Sequence, residues 1–113
     1  MSITTERLSS LIQRELAPIV NSTIQNDKIG YINLTEVRVT KDLKTAKVYY
    51  TILSDDEDVL ELANNFLTKF NGTIRMELAK KIRNIRKIPE LNFVYDEALA
   101  YGNHIDKLLK EIK

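Results

Sequence analysis

Between residues 58 and 88 the sequence carries a helical periodicity that breaks once, and this narrows the possible folds more than anything else in it. Val59, Leu62, Ala63, Phe66, Leu67 and Phe70 recur at helical spacing, and so do Ile74, Leu78, Ile82 and Ile85. Asn71 and Gly72 lie between the two runs and read as a helix C-terminal signal, with Thr73 placed to cap the second helix. At about 100° per residue, Ile74, Leu78, Ile82 and Ile85 fall within a sector about 80° wide. Met76, Lys80, Arg83 and Lys87 project to the opposite side, with Arg75, Ala79 and Arg86 between. The expectation is two consecutive helices, the second with one face for a core and one cationic face. Pro89 disfavours the helical conformation at Ile88 and ends the second helix there.

Charge is segregated along the chain. From Lys69 to Lys87 there are seven bases and one acid, Glu77, a net of +6 in a chain whose total is +1, so the rest is net −5. Asp55, Asp56, Glu57, Asp58 and Glu61 supply much of that balance. Such asymmetry bears on partners more than the near-neutral total does. Charged residues on a helix are ordinarily its solvated face; the near absence of acids in this one favours a binding surface.

The remaining segments supply a scaffold. Leu8, Leu11, Ile12 and Leu16 face inward from a helix expected over 5–20, with Thr4 or Thr5 as N-cap and Pro18 near its end. Residues 21–30 are polar and read as a loop. Residues 31–40 alternate as a strand whose phase shifts between Leu34 and Val37, which predicts a bulge around Thr35 and Glu36. Residues 45–53 form a second strand with Ala46, Val48, Tyr50 and Ile52 on one face, joined to the first as an antiparallel hairpin. Ser54 and Glu57 have the spacing of a capping box, so a helix is expected from about Asp55. Residues 91–96 alternate as a third strand, and Leu99, Ile105, Leu108, Leu109 and Ile112 suggest a last helix. At 113 residues this order predicts one α+β domain, a three-stranded sheet with helices packed on one face.

Several function classes lack their residues. There is no cysteine, hence no disulfide, thiolate nucleophile or cysteine metal site. His104 is the single histidine, and no phosphate-binding loop, nucleophile elbow or paired-histidine motif occurs. The run Asp55 to Asp58 is explained by capping and the helix dipole without a metal. No apolar run approaches the ~20 residues of a membrane span, and the N-terminus lacks the pattern of a secretory signal. The expectation is a cytoplasmic, monomeric, non-enzymatic protein without cofactor, metal or small-molecule substrate.

The opening RLSSLIQRELAPIV, the segment VRVTKDLKTAKVYYTIL, the stretch NGTIRMELAKKIRNIRKIPELNFVYDEAL and the ending GNHIDKLLKEI stand in an order that resembles the ribosome-binding factor A family of bacterial small-subunit assembly factors. The resemblance covers nearly the whole chain. It implies a KH-like fold of the second topological type, in which a kinked helix-to-helix joint, commonly Ala-x-Gly, replaces the usual GxxG loop. No GxxG occurs here; the joint reads Phe70-Asn71-Gly72, with Phe70 in the alanine position. Many members of the family continue into a charged tail, which the sequence lacks after Lys113. The resemblance also implies binding to the free 30S subunit, contact with 16S rRNA near the decoding-region helix and the mRNA path, and promotion of late 30S maturation with processing of the 16S rRNA 5′ end.

Physical chemistry assigns roles compatible with this. Gly72 permits close approach of a sugar-phosphate chain, and the start of the second helix turns N–H groups and a positive dipole end toward phosphate. Arg75, Lys80, Arg83, Arg86 and Lys87 extend a cationic track. Lys41, Lys44 and Lys47, at the hairpin turn, serve either to touch RNA or to solubilise the tip. Tyr49, Tyr50 and Tyr95 are of a type that stacks on bases, but packing in the core or sheet is the expected role, above all for Tyr50. A basic helix could instead dock on an acidic protein surface, and the sequence leaves that alternative open.

Overall fold

The computed structural model describes residues 4–82 and 87–97. The elements run α1 (Thr5–Thr23), β1 (Asn33–Val39), β2 (Thr45–Thr51), α2 (Glu57–Lys69), α3 (Asn71–Lys81) and β3 (Glu90–Tyr95). The strands form one sheet in the order β1-β2-β3. β1 pairs antiparallel with β2, and β3 pairs parallel with β2. The fold is the expected α+β arrangement, consistent with a KH-like domain, with a break between α2 and α3. The helix expected from Leu99 onward, and His104 with it, lies outside the described residues.

Register explains why one face of the sheet is core and the other is not. Side chains alternate between the two faces, so Val39, Ala46 and Leu91 form one row across the strands, Val37, Val48 and Phe93 a second, and Leu34, Tyr50 and Tyr95 a third. Leu34, Val37, Ala46, Val48, Tyr50 and Leu91 are buried, together with Leu8, Ile12 and Leu16 of α1, Ala63 and Leu67 of α2, and Ile74 and Leu78 of α3. Tyr50 and Tyr95 meet edge to face at 5.8 Å and belong to the packing, not to a base-stacking surface. The opposite face carries the rows Arg38, Lys47, Asn92 and Glu36, Tyr49, Val94. The register of β1 shifts between Leu34 and Glu36, which leaves Thr35 as the bulge the alternation predicts.

α1 continues past Pro18 to Thr23, so residues 21–23 are helix and not loop. Proline removes one backbone donor but cannot end a helix whose next turn is held from outside. Ile19 and Val20 are buried, and Asn21 donates to the carbonyls of Ala17 (3.0 Å) and Ile32 (2.9 Å) and accepts the Ile32 N–H (2.8 Å). Farther along, Ser9 Oγ accepts the Val39 N–H at 3.2 Å and Gln13 donates to the Leu34 carbonyl at 3.1 Å. These side chains satisfy main-chain groups on the outer edge of β1. Asn21→Ala strands the polar groups of Ile32 and is expected to cost about 1–3 kcal/mol, read as a lowered urea midpoint with an unchanged slope.

Two helix boundaries also differ from the expectation. The cap of α2 is Asp56, whose carboxylate accepts the Asp58 N–H at 2.9 Å, while Ser54 accepts the Asp56 N–H at 3.1 Å. The expected capping box does not form, because Ser54 is used to shape the turn into the true cap. α3 ends at Lys81 and not near Ile88; Ile82 is extended (φ −109°, ψ 102°) and buried. Leaving the helix inserts Ile82 into the core, and Ile88 and Pro89, just before β3, are buried as well.

Candidate nucleic-acid interface

The joint between α2 and α3 is a single residue. Phe70 (φ −96°, ψ 9°) closes one helix and opens the next, its N–H bonding the Phe66 carbonyl at 2.9 Å and its carbonyl accepting the Ile74 N–H at 2.9 Å. Its ring stacks parallel to that of Phe66 with centroids 6.0 Å apart, and the Lys69 ammonium lies 5.5 Å from its centroid. The bulk at this position is thus carried along α2. Thr73 does not cap α3; no side chain does. Asn71 instead donates to the Leu91 carbonyl at 2.9 Å, which ties the joint to β3.

Gly72 sits inside the first turn of α3, exposed, and outside the left-handed region. A Cβ built there meets nothing within 4 Å. The fold therefore does not require glycine, and the left-handed helix ending expected at Asn71 and Gly72 is absent. Gly72→Ala is expected to raise stability by about 0.5–1 kcal/mol, measured by chemical denaturation. If backbone approach at this turn contributes to binding, the same variant binds RNA more weakly although it is more stable.

Arg75 does not join a cationic track. Its guanidinium donates to the carbonyls of Ile88 (2.6 Å) and Pro89 (3.3 Å) and is half-buried between α3 and the entry to β3. Asn71 and Arg75, four residues apart on one helix face, thus hold the start of β3 from Ile88 to Leu91. Because Asn71 meets Leu91 and Arg75 meets Ile88 and Pro89, α3 runs toward the end of the sheet where β3 begins. Lys80 and Lys81 are exposed in its last turn. Lys80 pairs with Glu77 at 3.1 Å. Lys81 is a cation that the sequence reading leaves unassigned; its signal was its place in the final turn beside Lys80.

The hairpin turn comes to the same end. The Glu90 N–H donates to the Lys44 carbonyl at 2.8 Å, which puts exposed Lys41 and Lys44 at the same end of the sheet as exposed Lys87. The turn is built tightly. Thr40 Oγ1 donates to Asp42 at 2.6 Å, the Lys44 N–H donates to the same carboxylate oxygen at 3.1 Å, and Leu43 is held at φ +61°. The Thr40 hydroxyl foremost, then the Lys44 N–H, lowers the pKa of Asp42 below its ordinary value. Leu43 packs against the core, which explains why a non-glycine residue accepts the left-handed region. Lys47 lies on the open sheet face in the row with Arg38 and Asn92. Arg38 is engaged with Glu36 at 3.0 Å and stands 5.6 Å from the Tyr49 ring centroid.

The sequence-predicted residues therefore divide. Lys41, Lys44, Lys80 and Lys87 converge on one end of the sheet, with Lys47 on the adjoining face. Arg75 is structural, Gly72 lies at the far end of α3, and Arg83 and Arg86 lie outside the described residues. The opposite end of the sheet is acidic: Asp55 to Asp58 follow β2, and Asp96 and Glu97 follow the parallel β3. Burial foremost, then the carboxylates of Asp55, Glu97 and Asp96, raises the pKa of Tyr95 above the ordinary phenol value. Among the described residues no cluster of metal-ligating side chains occurs and no helix is long and apolar enough to cross a membrane.

Comparison with known proteins gives one consistent result. Residues 4–109 match the family described as Ribosome-binding factor A. A ribosome-binding factor A of Phytoplasma mali is 59% identical over 112 residues, covering 99% of this chain and 98% of the relative. One from Staphylococcus epidermidis is 39% identical over 113 residues, covering 98% and 94%. The crystal structure of ribosome-binding factor A from Thermus thermophilus superposes with a TM-score of 0.71 at 22% identity, covering 83% of this chain and 97% of that one. A Thermus thermophilus homology model fitted into the cryo-EM map of a 30S complex gives 0.68 at 23% identity, covering 80% and 93%.

Proposed function

The chain belongs to the ribosome-binding factor A family, and from that footing we propose that it binds 16S rRNA on the free 30S subunit, as a monomeric single-domain factor in the cytoplasm. It promotes late 30S maturation and processing of the 16S rRNA 5′ end. The family is one of non-enzymatic assembly factors, so its action is to bind and to bias a conformation of the rRNA. A relative in the same fold has been fitted into a 30S complex, which supports the partner.

The observation that carries the reading is the convergence of Lys41, Lys44, Lys80, Lys81 and Lys87 at one end of the sheet, separated by its length from the acidic end. Lysines present point charges to phosphate, and phosphate contacts give affinity and placement without base identity. A rigid array of such charges recognises the shape of folded RNA. Arg83 and Arg86, whose RNA contacts are proposed on their charge alone, lie outside the described residues. Lys47 borders the lysine cluster through the open sheet face, and Gly72, at the other end of α3, is assigned a separate RNA contact at the uncapped start of that helix.

Sedimentation with purified free 30S subunits tests the proposal. The chain is expected to co-sediment at low salt and to be lost steeply as salt rises, with a log–log slope close to the number of phosphates neutralised. An absence of co-sedimentation at low salt overturns the reading. In cells depleted of the protein, 16S rRNA is expected to accumulate with an unprocessed 5′ end.

A further inference from the structure

We propose that the outer edge of β3, at Phe93 and Tyr95, is a strand-addition site for an extended, lysine- or arginine-bearing segment of a protein partner. The inference goes beyond the RNA contact and uses the other end of the molecule. β3 is an edge strand. Its bonds to β2 are made by alternate residues, as the Glu90 N–H to Lys44 and the Asp96 N–H to Tyr50 (2.8 Å) show. The N–H and C=O groups of Phe93 and Tyr95 therefore point outward, and among the described residues none of them meets a partner.

The fold treats its other main-chain edges differently. Ser9, Gln13 and Asn21 occupy the Val39 N–H, the Leu34 carbonyl and both main-chain groups of Ile32 along β1, and Asn71 and Arg75 cover the carbonyls of Ile88, Pro89 and Leu91 at the entry to β3. The covering stops at Leu91, and two consecutive outward residues follow it in extended conformation. Four aligned backbone groups of this kind are what a peptide strand adds to, with main-chain bonds giving affinity and alternate side chains giving selectivity. Phe93 and Tyr95 are themselves half-buried against the core, so the edge is anchored. An added strand would set every second side chain toward the helix side of the sheet and the others toward solvent.

Charge selects the occupant. Tyr95 lies among the carboxylates of Asp55, Asp96 and Glu97, and Leu53, 92% exposed, follows β2 at the same end. This setting repels a phosphate chain and attracts a cationic, partly apolar peptide. The lysines proposed for RNA lie at the opposite end, so both partners can be held at once.

The test uses the full chain and a blocked synthetic peptide alternating valine and lysine, with amide exchange followed residue by residue by NMR. Saturating peptide is expected to slow exchange at Phe93 and Tyr95 about tenfold or more, leaving the amides of α1 unchanged. The same peptide N-methylated at alternate residues cannot pair and is expected to lose the protection, as is a valine–glutamate peptide. No protection at these two amides overturns the proposal, and so does equal protection by the glutamate peptide. Stronger protection of the same amides by a uridine oligonucleotide also overturns it and assigns the edge to RNA.

Discussion

The combined variant Lys41→Glu, Lys44→Glu, Lys87→Glu is expected to lose association with free 30S subunits by at least about a hundredfold at moderate salt, each lysine removed lowering the salt slope by about 0.7–0.9. The three side chains are exposed and make no hydrogen bond or ion pair among the described residues, so the melting temperature and circular dichroism should be unchanged. Lys28→Glu supplies the control. Lys28 is equally exposed but precedes β1, whose first residue, Asn33, pairs with Thr51 at the opposite end of the sheet. It should leave both affinity and slope where they were. Equal losses in both variants would mean that net charge, and not this cluster, governs binding. The experiment also addresses the alternative in which basic side chains dock on an acidic protein, since binding to protein-free 16S rRNA should fall in parallel.

The second large effect is on stability. Arg75→Gln removes a charged donor from the carbonyls of Ile88 and Pro89 and is expected to destabilise the fold by about 2–4 kcal/mol, since hydrogen bonds to charged groups are worth about 1.5–3 kcal/mol and leave buried acceptors unmet when lost. Arg75→Lys should recover only part, because an ammonium lacks the planar fork that reaches two carbonyls at once. Under conditions where the variant remains folded, the salt slope of RNA binding should equal that of the unaltered chain. A lower slope with unchanged stability would return Arg75 to the RNA-contacting set.

Arg75 shows where sequence reading reaches its limit. The alternation of β1 and β2, the bulge at Thr35 and the inward stripe of α1 are local patterns, and each is found as read. The direction of an arginine is not local. Placed at the border of an apolar stripe, it is compatible with solvent, phosphate or a main-chain carbonyl, and only the arrival of Ile88 and Pro89 decides. The end of α3 is a similar case. Ile82 continues the helical spacing, but the core takes the same side chain from an extended backbone, and periodicity cannot distinguish the two. The cap at Asp56 was masked by a neighbouring Ser54 that satisfied a familiar spacing. The convergence of the hairpin lysines with Lys87 follows from one parallel pairing, β2 with β3, which joins segments far apart in sequence.

The cover that α1 lays over β1 has a consequence for how copies of this chain can meet. A sheet with two bare edges can pair with neighbours on both sides and grow without limit, the route to fibrils. Here Ser9, Gln13 and Asn21 occupy the Val39 N–H, the Leu34 carbonyl and both main-chain groups of Ile32 on one side. Any union through β3 uses the bare main-chain groups of Phe93 and Tyr95, and two copies that met there would cap each other at that edge. The helix at the start of the chain thus leaves less of the sheet open to further copies.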